Sequence, residues 1–325
     1  LSLSPSRRGV LKNLTAAVFY PLLASPAGGR GIAEGGIEDL YNSFLVPSKF
    51  FFLKHYQGWG RYVNNTIKNY SFNHLAFFVH DGLSYHSRLW ARLIPNQGFV
   101  PSSFTVDDYL SVTKGLNIVG GAIVSGSFQG FDQTYLESAL QKLGNHFVGA
   151  TQLPGTASEE EIKELHKKGV RAVRFNLKRG GSASVGDCES LAKRVFNVAG
   201  WHSEFYVDSR DLPAISPLLE KLPAIVIDHL GLSKAGFPFL LKLIEKGAYV
   251  KASGFGRLDF SIIAALQQII AINPASLLFG TDLPSTRAPR PFMIEDIRLI
   301  EENFSSEIAG KIFYNNALKL YDVRL

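Results

Sequence analysis

A chain of 325 residues, 46% apolar and 19% charged, can bury a large core, and its length suits a single α/β barrel with additions. The formal charge of +6 includes no run of like charges, and Arg7, Arg8 and Lys12 supply three of the positives at the extreme N-terminus. With no basic helix, zinc-finger spacing or aromatic–basic interleaving, nothing points to a nucleic-acid partner. A lone cysteine, Cys188, excludes an internal disulfide and a redox dithiol pair.

The first thirty residues have the order of an export signal. Ser6-Arg7-Arg8-Gly9-Val10-Leu11-Lys12 is followed by an apolar stretch from Leu14 to Ala24 and a small-residue exit at Ser25-Pro26-Ala27. That stretch is too short to span a bilayer as a helix, so no stable membrane insertion is expected. The twin arginine resembles the twin-arginine translocation consensus, with Val10 where Phe is commonest. It implies export to the periplasm, with a cytoplasmic location as the alternative. Residues 31–74 are rich in Phe, Tyr, Asn and Lys with neither helical nor strand periodicity, and are expected to form an irregular extension without chemistry of its own.

From residue 75 onward, short apolar or β-branched runs alternate with amphipathic stretches. Strands are expected at 75–79, 117–126, 146–153, 171–177, 202–208, 224–231, 248–254 and 277–282, with helices between them, as at 105–116, 158–169 and 237–247. Ser158 and Glu161 read as a capping box, and Gly169 and Gly247 as helix stops. Eight such units predict an α/β fold, a (β/α)8 TIM barrel over residues 75–325. An open doubly wound sheet is the alternative, but the glycine-rich phosphate turn expected after one of its early strands is absent.

In such barrels the reactive groups gather at the C-terminal strand ends. Strand four reads Arg174-Phe175-Asn176-Leu177-Lys178-Arg179, and alternation puts Arg174, Asn176 and Lys178 on one face. Strand six ends in Asp228-His229-Leu230-Gly231 and strand eight in Asp282. A carboxylate facing an imidazole at the mouth can orient and deprotonate water, which makes Asp282 the candidate base. His229 could polarise a carbonyl or bind a metal. Arginines bind carboxylates as a fork, so Arg174, Lys178 and Arg179, with Arg287 and Arg290 on the loop after strand eight, predict a small anionic organic substrate. Pro284, Pro289 and Pro291 stiffen that loop.

The segments 169–177, 200–207, 227–231, 250–257 and 277–284, in this order, resemble the amidohydrolase-2 branch of the amidohydrolase superfamily, and within it 2-pyrone-4,6-dicarboxylate lactonase-like hydrolases. The resemblance covers roughly residues 93–322. It implies that Asp282 activates water, that His229 is the strand-six histidine, and that Arg174, Lys178 and Arg179 contact substrate carboxylates. Ser125, Ser127 and Tyr206 fall where the family has polar substrate contacts. The implied activity is hydrolysis of a carboxylate-bearing lactone without a metal. The alternatives are a zinc-dependent amidohydrolase or decarboxylase, or a non-catalytic anion-binding barrel. The family's His-x-His after strand one is missing: Ser84 and His86 stand there by distance to Pro95-Asn96, and His80 by strand pattern. The candidate ligands for a divalent metal are therefore His80 or His86 with His229 and Asp282, and no cofactor is firmly implied.

Overall fold

A computed structural model describes the backbone of residues 76–81 and all of residues 93–325. Residues 1–30, where an export signal is expected, residues 31–74, His86 and the side chain of His80 lie outside the described residues. Eight parallel strands follow one another around the sheet in sequence order. They are β1 (Ala76–Asp81), β2 (Ile118–Val124), β3 (Phe147–Thr151), β4 (Val170–Asn176), β5 (His202–Tyr206), β6 (Ile225–Ile227), β7 (Tyr249–Ala252) and β8 (Leu277–Phe279). β8 approaches β1, and the result is the TIM barrel expected from the strand–helix rhythm.

Helices return the chain between strands: α1 (Val106–Val112), α2 (Thr134–Leu143), α3 (Glu159–Lys167), α4 (Val185–Ala199), α5 (Leu212–Leu219), α6 (Phe237–Glu245) and α7 (Ile262–Ile272). After β8 come α8 (Glu295–Asn303), α9 (Ser306–Gly310) and α10 (Asn316–Leu320). Ser158 caps α3 by accepting from the Glu161 amide at 3.1 Å, while the complete reciprocal box belongs to Thr105 and Asp108 on α1. Gly169 and Gly247 sit at φ 101° and 94°, a left-handed region that halts a helix at little cost for glycine. None of the described helices is long and apolar enough to cross a membrane.

Alternation along the strands builds two cores. On β4, Phe175 points outward into the helical layer and stacks on Phe205 of β5 at 5.1 Å, while Arg174 and Asn176 point into the barrel. The interior core is smaller, made of Ala122, Val124, Val148, Ala150, Ala172, Val226 and Leu278, and Ala317 and Tyr321 of the C-terminal segment close its lower end. That plug leaves the opposite, C-terminal end of the strands as the accessible mouth.

β6 and β8 are shorter than their apolar runs. β6 stops at Ile227 and β8 at Phe279, so Asp228, His229 and Asp282 belong to the turns that follow. The cause is local: His229, Leu230 and Asp282 have φ of 50°, 49° and 56°, incompatible with a ladder.

Candidate active site

His229 and Asp282 enter the mouth from the rim turns after β6 and β8, each in a backbone conformation that ordinary residues rarely adopt. Such conformations persist where the surroundings over-determine them, and they gather at working sites. His229 Nδ1 lies 2.9 Å from Ser253 Oγ, and the imidazole meets Tyr206 edge-on with centroids 5.4 Å apart. Gly254 makes room for it, because a Cβ there would fall 2.7 Å from Nδ1. The other ring nitrogen, Nε2, is 3.8 Å from Asp282 Oδ1. Arg257 holds Asp282 as a fork, with Nε to Oδ2 at 2.7 Å and Nη2 to Oδ1 at 3.1 Å. Each carboxylate oxygen has two acceptor sites. The fork uses one on each, and Oδ1 is the oxygen that faces His229 Nε2.

Above this pair opens a cleft of about 560 Å³, counting its open mouth, into which Arg174, Arg179, Arg257 and Arg287 all reach. Ser127, Asn176, Tyr206 and His229 also line it. Arg287 lies against the rings of Phe99 and Phe128, with its guanidinium carbon 4.7 and 5.0 Å from their centroids. It donates to Asn96 Oδ1 and to the Asn96 carbonyl, and Arg179 donates to Gln97 Oε1 at 3.0 Å. The short bridge Asn96↔Phe99 thus ties both arginines together through amides rather than carboxylates. Burial, and then the like charge of Arg179, push the Arg287 pKa below its ordinary value. A bound anion would relieve both effects.

Beneath the cleft runs a buried chain of charges. Arg174 donates to Asp228 Oδ2 through Nη2 (2.7 Å) and Nε (3.2 Å), and to the Ser125 carbonyl at 2.6 Å. Lys251 Nζ lies 2.8 Å from Asp228 Oδ1 and 2.5 Å from Glu204 Oε2. His202 Nε2 and the Tyr321 hydroxyl approach Glu204 Oε1 at 3.2 and 2.6 Å. Burial alone would raise the Glu204 pKa, but Lys251 and His202 outweigh it and lower it to about 2.

Not every expected residue reaches the cleft. Lys178 pairs with Asp208 at 2.8 Å, beside Arg210 on the same carboxylate. Arg290 is neutralised by Asp296 through two hydrogen bonds of 2.8 and 3.0 Å. Ser125 turns its hydroxyl to Tyr135 and Thr151 and is buried among them. Arg174 touches the cleft but is 3% exposed, so its first partner is Asp228 rather than solvent. Asp282 lies just behind the lining, covered by Arg257 and His229. His202 stands at the lower end of the barrel, away from the mouth.

The metal question turns on the donor set. Among the described residues no group of three His, Cys, Asp or Glu side chains converges as an ion needs. Asp282 already gives both oxygens to a guanidinium, whose charge opposes a cation beside it. The described residues therefore do not fit a divalent metal, and His80 and His86 are not positioned by them.

Sequence reading missed Arg257, Lys251, Glu204 and Ser253. Arg257 and Lys251 stand in the quoted 250–257 segment, but nothing local reveals that one reaches Asp282 and the other crosses the barrel.

Comparison with known proteins agrees with the architecture. A family model described as amidohydrolase matches residues 78–323. A 2-pyrone-4,6-dicarboxylate hydrolase from Comamonas testosteroni is 23% identical over 259 residues, covering 70% of this chain and 84% of that protein. A 4-sulfomuconolactone hydrolase from Rhizobium radiobacter is 22% identical over 251 residues, covering 69% and 83%. A crystal structure from Acinetobacter baumannii, named for 2-pyrone-4,6-dicarboxylic acid hydrolysis and holding citric acid, superposes with a TM-score of 0.65 at 22% identity, covering 76% of this chain and 99% of the other. One from Pseudomonas putida, similarly named, gives 0.63 at 25% identity, covering 77% and 98%. With the family matched across the whole described barrel, the chain belongs to the amidohydrolase family and is a hydrolase.

Proposed function

We propose that this protein hydrolyses a small lactone ring bearing at least two acidic groups. The observation that carries this reading is the convergence of Arg174, Arg179, Arg257 and Arg287 on one cleft beside His229. Guanidinium forks orient carboxylates as well as attract them, and the amide-only partners of Arg179 and Arg287 leave those two for a ligand. The relatives' names add weight, since both describe hydrolysis of anionic lactones.

In the proposed reaction one acidic group of the substrate lies against Arg179 and Arg287, a second meets Arg174 at the cleft floor, and the ring carbonyl faces His229 Nε2. Ser253 donates its hydroxyl proton to Nδ1, which leaves Nε2–H to polarise the carbonyl. Water between substrate and Asp282 Oδ1 gives a proton to the carboxylate as its oxygen attacks the carbonyl carbon. The ring C–O bond then breaks, and the departing oxygen takes the proton back from Asp282. One water is consumed and an open-chain acid is released. Arg257, fixed in its fork, holds Asp282 in line and stabilises the charge that builds on the ring.

Ultraviolet absorbance tests the reading directly. Purified protein should open 2-pyrone-4,6-dicarboxylate or 4-sulfomuconolactone, and should leave an uncharged six-membered lactone untouched. Equal rates on charged and uncharged rings, or no reaction with any anionic lactone, would overturn it.

A further inference from the structure

The buried charges under the cleft present a choice that the fold has resolved. On β4 and β5, Arg174 and Glu204 are register partners and both side chains point into the barrel. An arginine beside a buried carboxylate should pair with it. Arg174 instead pairs with Asp228. Glu204 is level with Val226 on β6 and Asp228 lies two residues further on, one interior layer nearer the rim. Of these two carboxylates, Arg174 pairs with the upper one.

Lys251 accounts for that choice. It enters from β7, continuing the Ile227↔Val250 register to the level of Asp228. Its ammonium fills the space between the two acids, 2.5 Å from Glu204 and 2.8 Å from Asp228. The Tyr321 hydroxyl, from the segment that closes the barrel below, occupies the other Glu204 oxygen. Glu204 is thus taken from both sides, and among the described residues Glu204, Asp228, Lys251 and Arg174 form one chain of ion pairs almost closed to water.

We propose that Lys251 is a positioning residue: by occupying Glu204 and sharing Asp228, it keeps the Arg174 guanidinium raised to the cleft floor, where a substrate carboxylate meets it. This rests on the lactone-hydrolase reading for its link to catalysis, but not for its geometry. Without the ammonium, Arg174 has an unneutralised acid beside it on the next strand and drops to Glu204, withdrawing from the cleft. The competitor, not the missing contact, is then the cause of damage. Removing the competitor as well should repair it.

The test compares wild type, Lys251→Met and the double variant Lys251→Met/Glu204→Gln. Methionine keeps the length of the lysine stem without its ammonium, and glutamine keeps an acceptor for Tyr321. With 2-pyrone-4,6-dicarboxylate, K251M should raise KM about ten-fold while kcat changes less than about three-fold, the pattern of lost ground-state binding. The double variant should recover KM to within about three-fold of wild type. A merely structural lysine predicts the reverse, since two buried changes would then harm more than one. Crystal structures of the variants read the same point without any substrate. Arg174 should be within about 3 Å of Glu204 in K251M and of Asp228 in the double variant. If K251M does not fold, the double variant alone carries the test through its KM and its Arg174 position. An Arg174 still on Asp228 in K251M, or a double variant as weak as the single one, would overturn the proposal. A wild type without lactonase activity would overturn the function instead and leave the crystallographic comparison to decide the geometry.

Discussion

Arg257 grips both carboxylate oxygens of Asp282, at 2.7 and 3.1 Å, while His229 stands 3.8 Å from one of them. The fork fixes the acid's plane, and in the proposed reaction the imidazole marks the side from which water and carbonyl arrive. Asp282→Asn keeps the size and one acceptor but cannot take a proton. Turnover should fall by about 10²–10⁴-fold, the usual worth of a positioned base. KM for the anionic lactone, read from the residual rate, should stay close to wild type. An Asp282→Asn enzyme at full rate would remove Asp282 from the chemistry.

Arg287 should act through affinity. It is held against Phe99 and Phe128, with amide partners only among the described residues, so it is placed before any ligand arrives. Arg287→Gln should raise KM for a dianionic lactone about ten-fold, the loss of one charge-assisted pair, with kcat little changed. Steady-state kinetics on that substrate decides this. Arg290→Gln, whose charge Asp296 already consumes, should change KM by less than about two-fold.

Acid stability should depend on Glu204. Its pKa in the folded chain is lowered to about 2 from an ordinary 4.5, so the unfolded state binds a proton first as pH falls. The stabilisation is complete above pH 4.5 and is lost as pH drops from there towards 2. Melting temperatures measured across that window should fall more steeply for wild type than for Glu204→Gln. Parallel curves would contradict the assignment.

Cys188 should be inert in the native protein. It is fully buried on α4, and burial pushes its thiol up to about 12. A thiol that far above neutrality supplies almost no thiolate. Ellman's reagent should register no thiol in the folded chain and one after denaturation. Rapid labelling of the folded protein would be inconsistent with this packing.

Prolonged treatment with a strong chelator should leave the rate of lactone opening unchanged, because the fork on Asp282 occupies the oxygens an ion would use. Metal content and activity measured together test this. Activity lost to the chelator and restored by zinc would mean that residues preceding position 93 complete a donor set.

The rhythm of eight apolar runs was legible because a buried parallel strand must be apolar and a covering helix amphipathic, and both patterns are local. His229 and Asp282 were legible for a related reason. Polar residues at the ends of apolar runs have no partners within the run, so they point to the mouth. The extent of the runs misled only at their ends, where 224–231 and 277–282 continue past the ladder into turns with left-handed residues.

Charge partnership was not legible. Lys178, Arg179, Arg287 and Arg290 look alike in the chain, yet Asp208 and Asp296 neutralise the first and last, while Arg179 and Arg287 meet only amides and carbonyls in their hydrogen bonds. Nor does a lone lysine in the run Tyr249–Ala252 announce that it ends between Glu204 and Asp228. Periodicity and apolar burial depend on neighbours a few residues away, so the amino-acid order alone determined the barrel and the polar strand ends at its mouth. Ion pairs depend on which side chains meet across a closed sheet, at separations of 25 to 54 residues for Arg257–Asp282 and Arg174–Asp228. Only closure of the barrel decided which cations face the cleft and which are consumed within the protein.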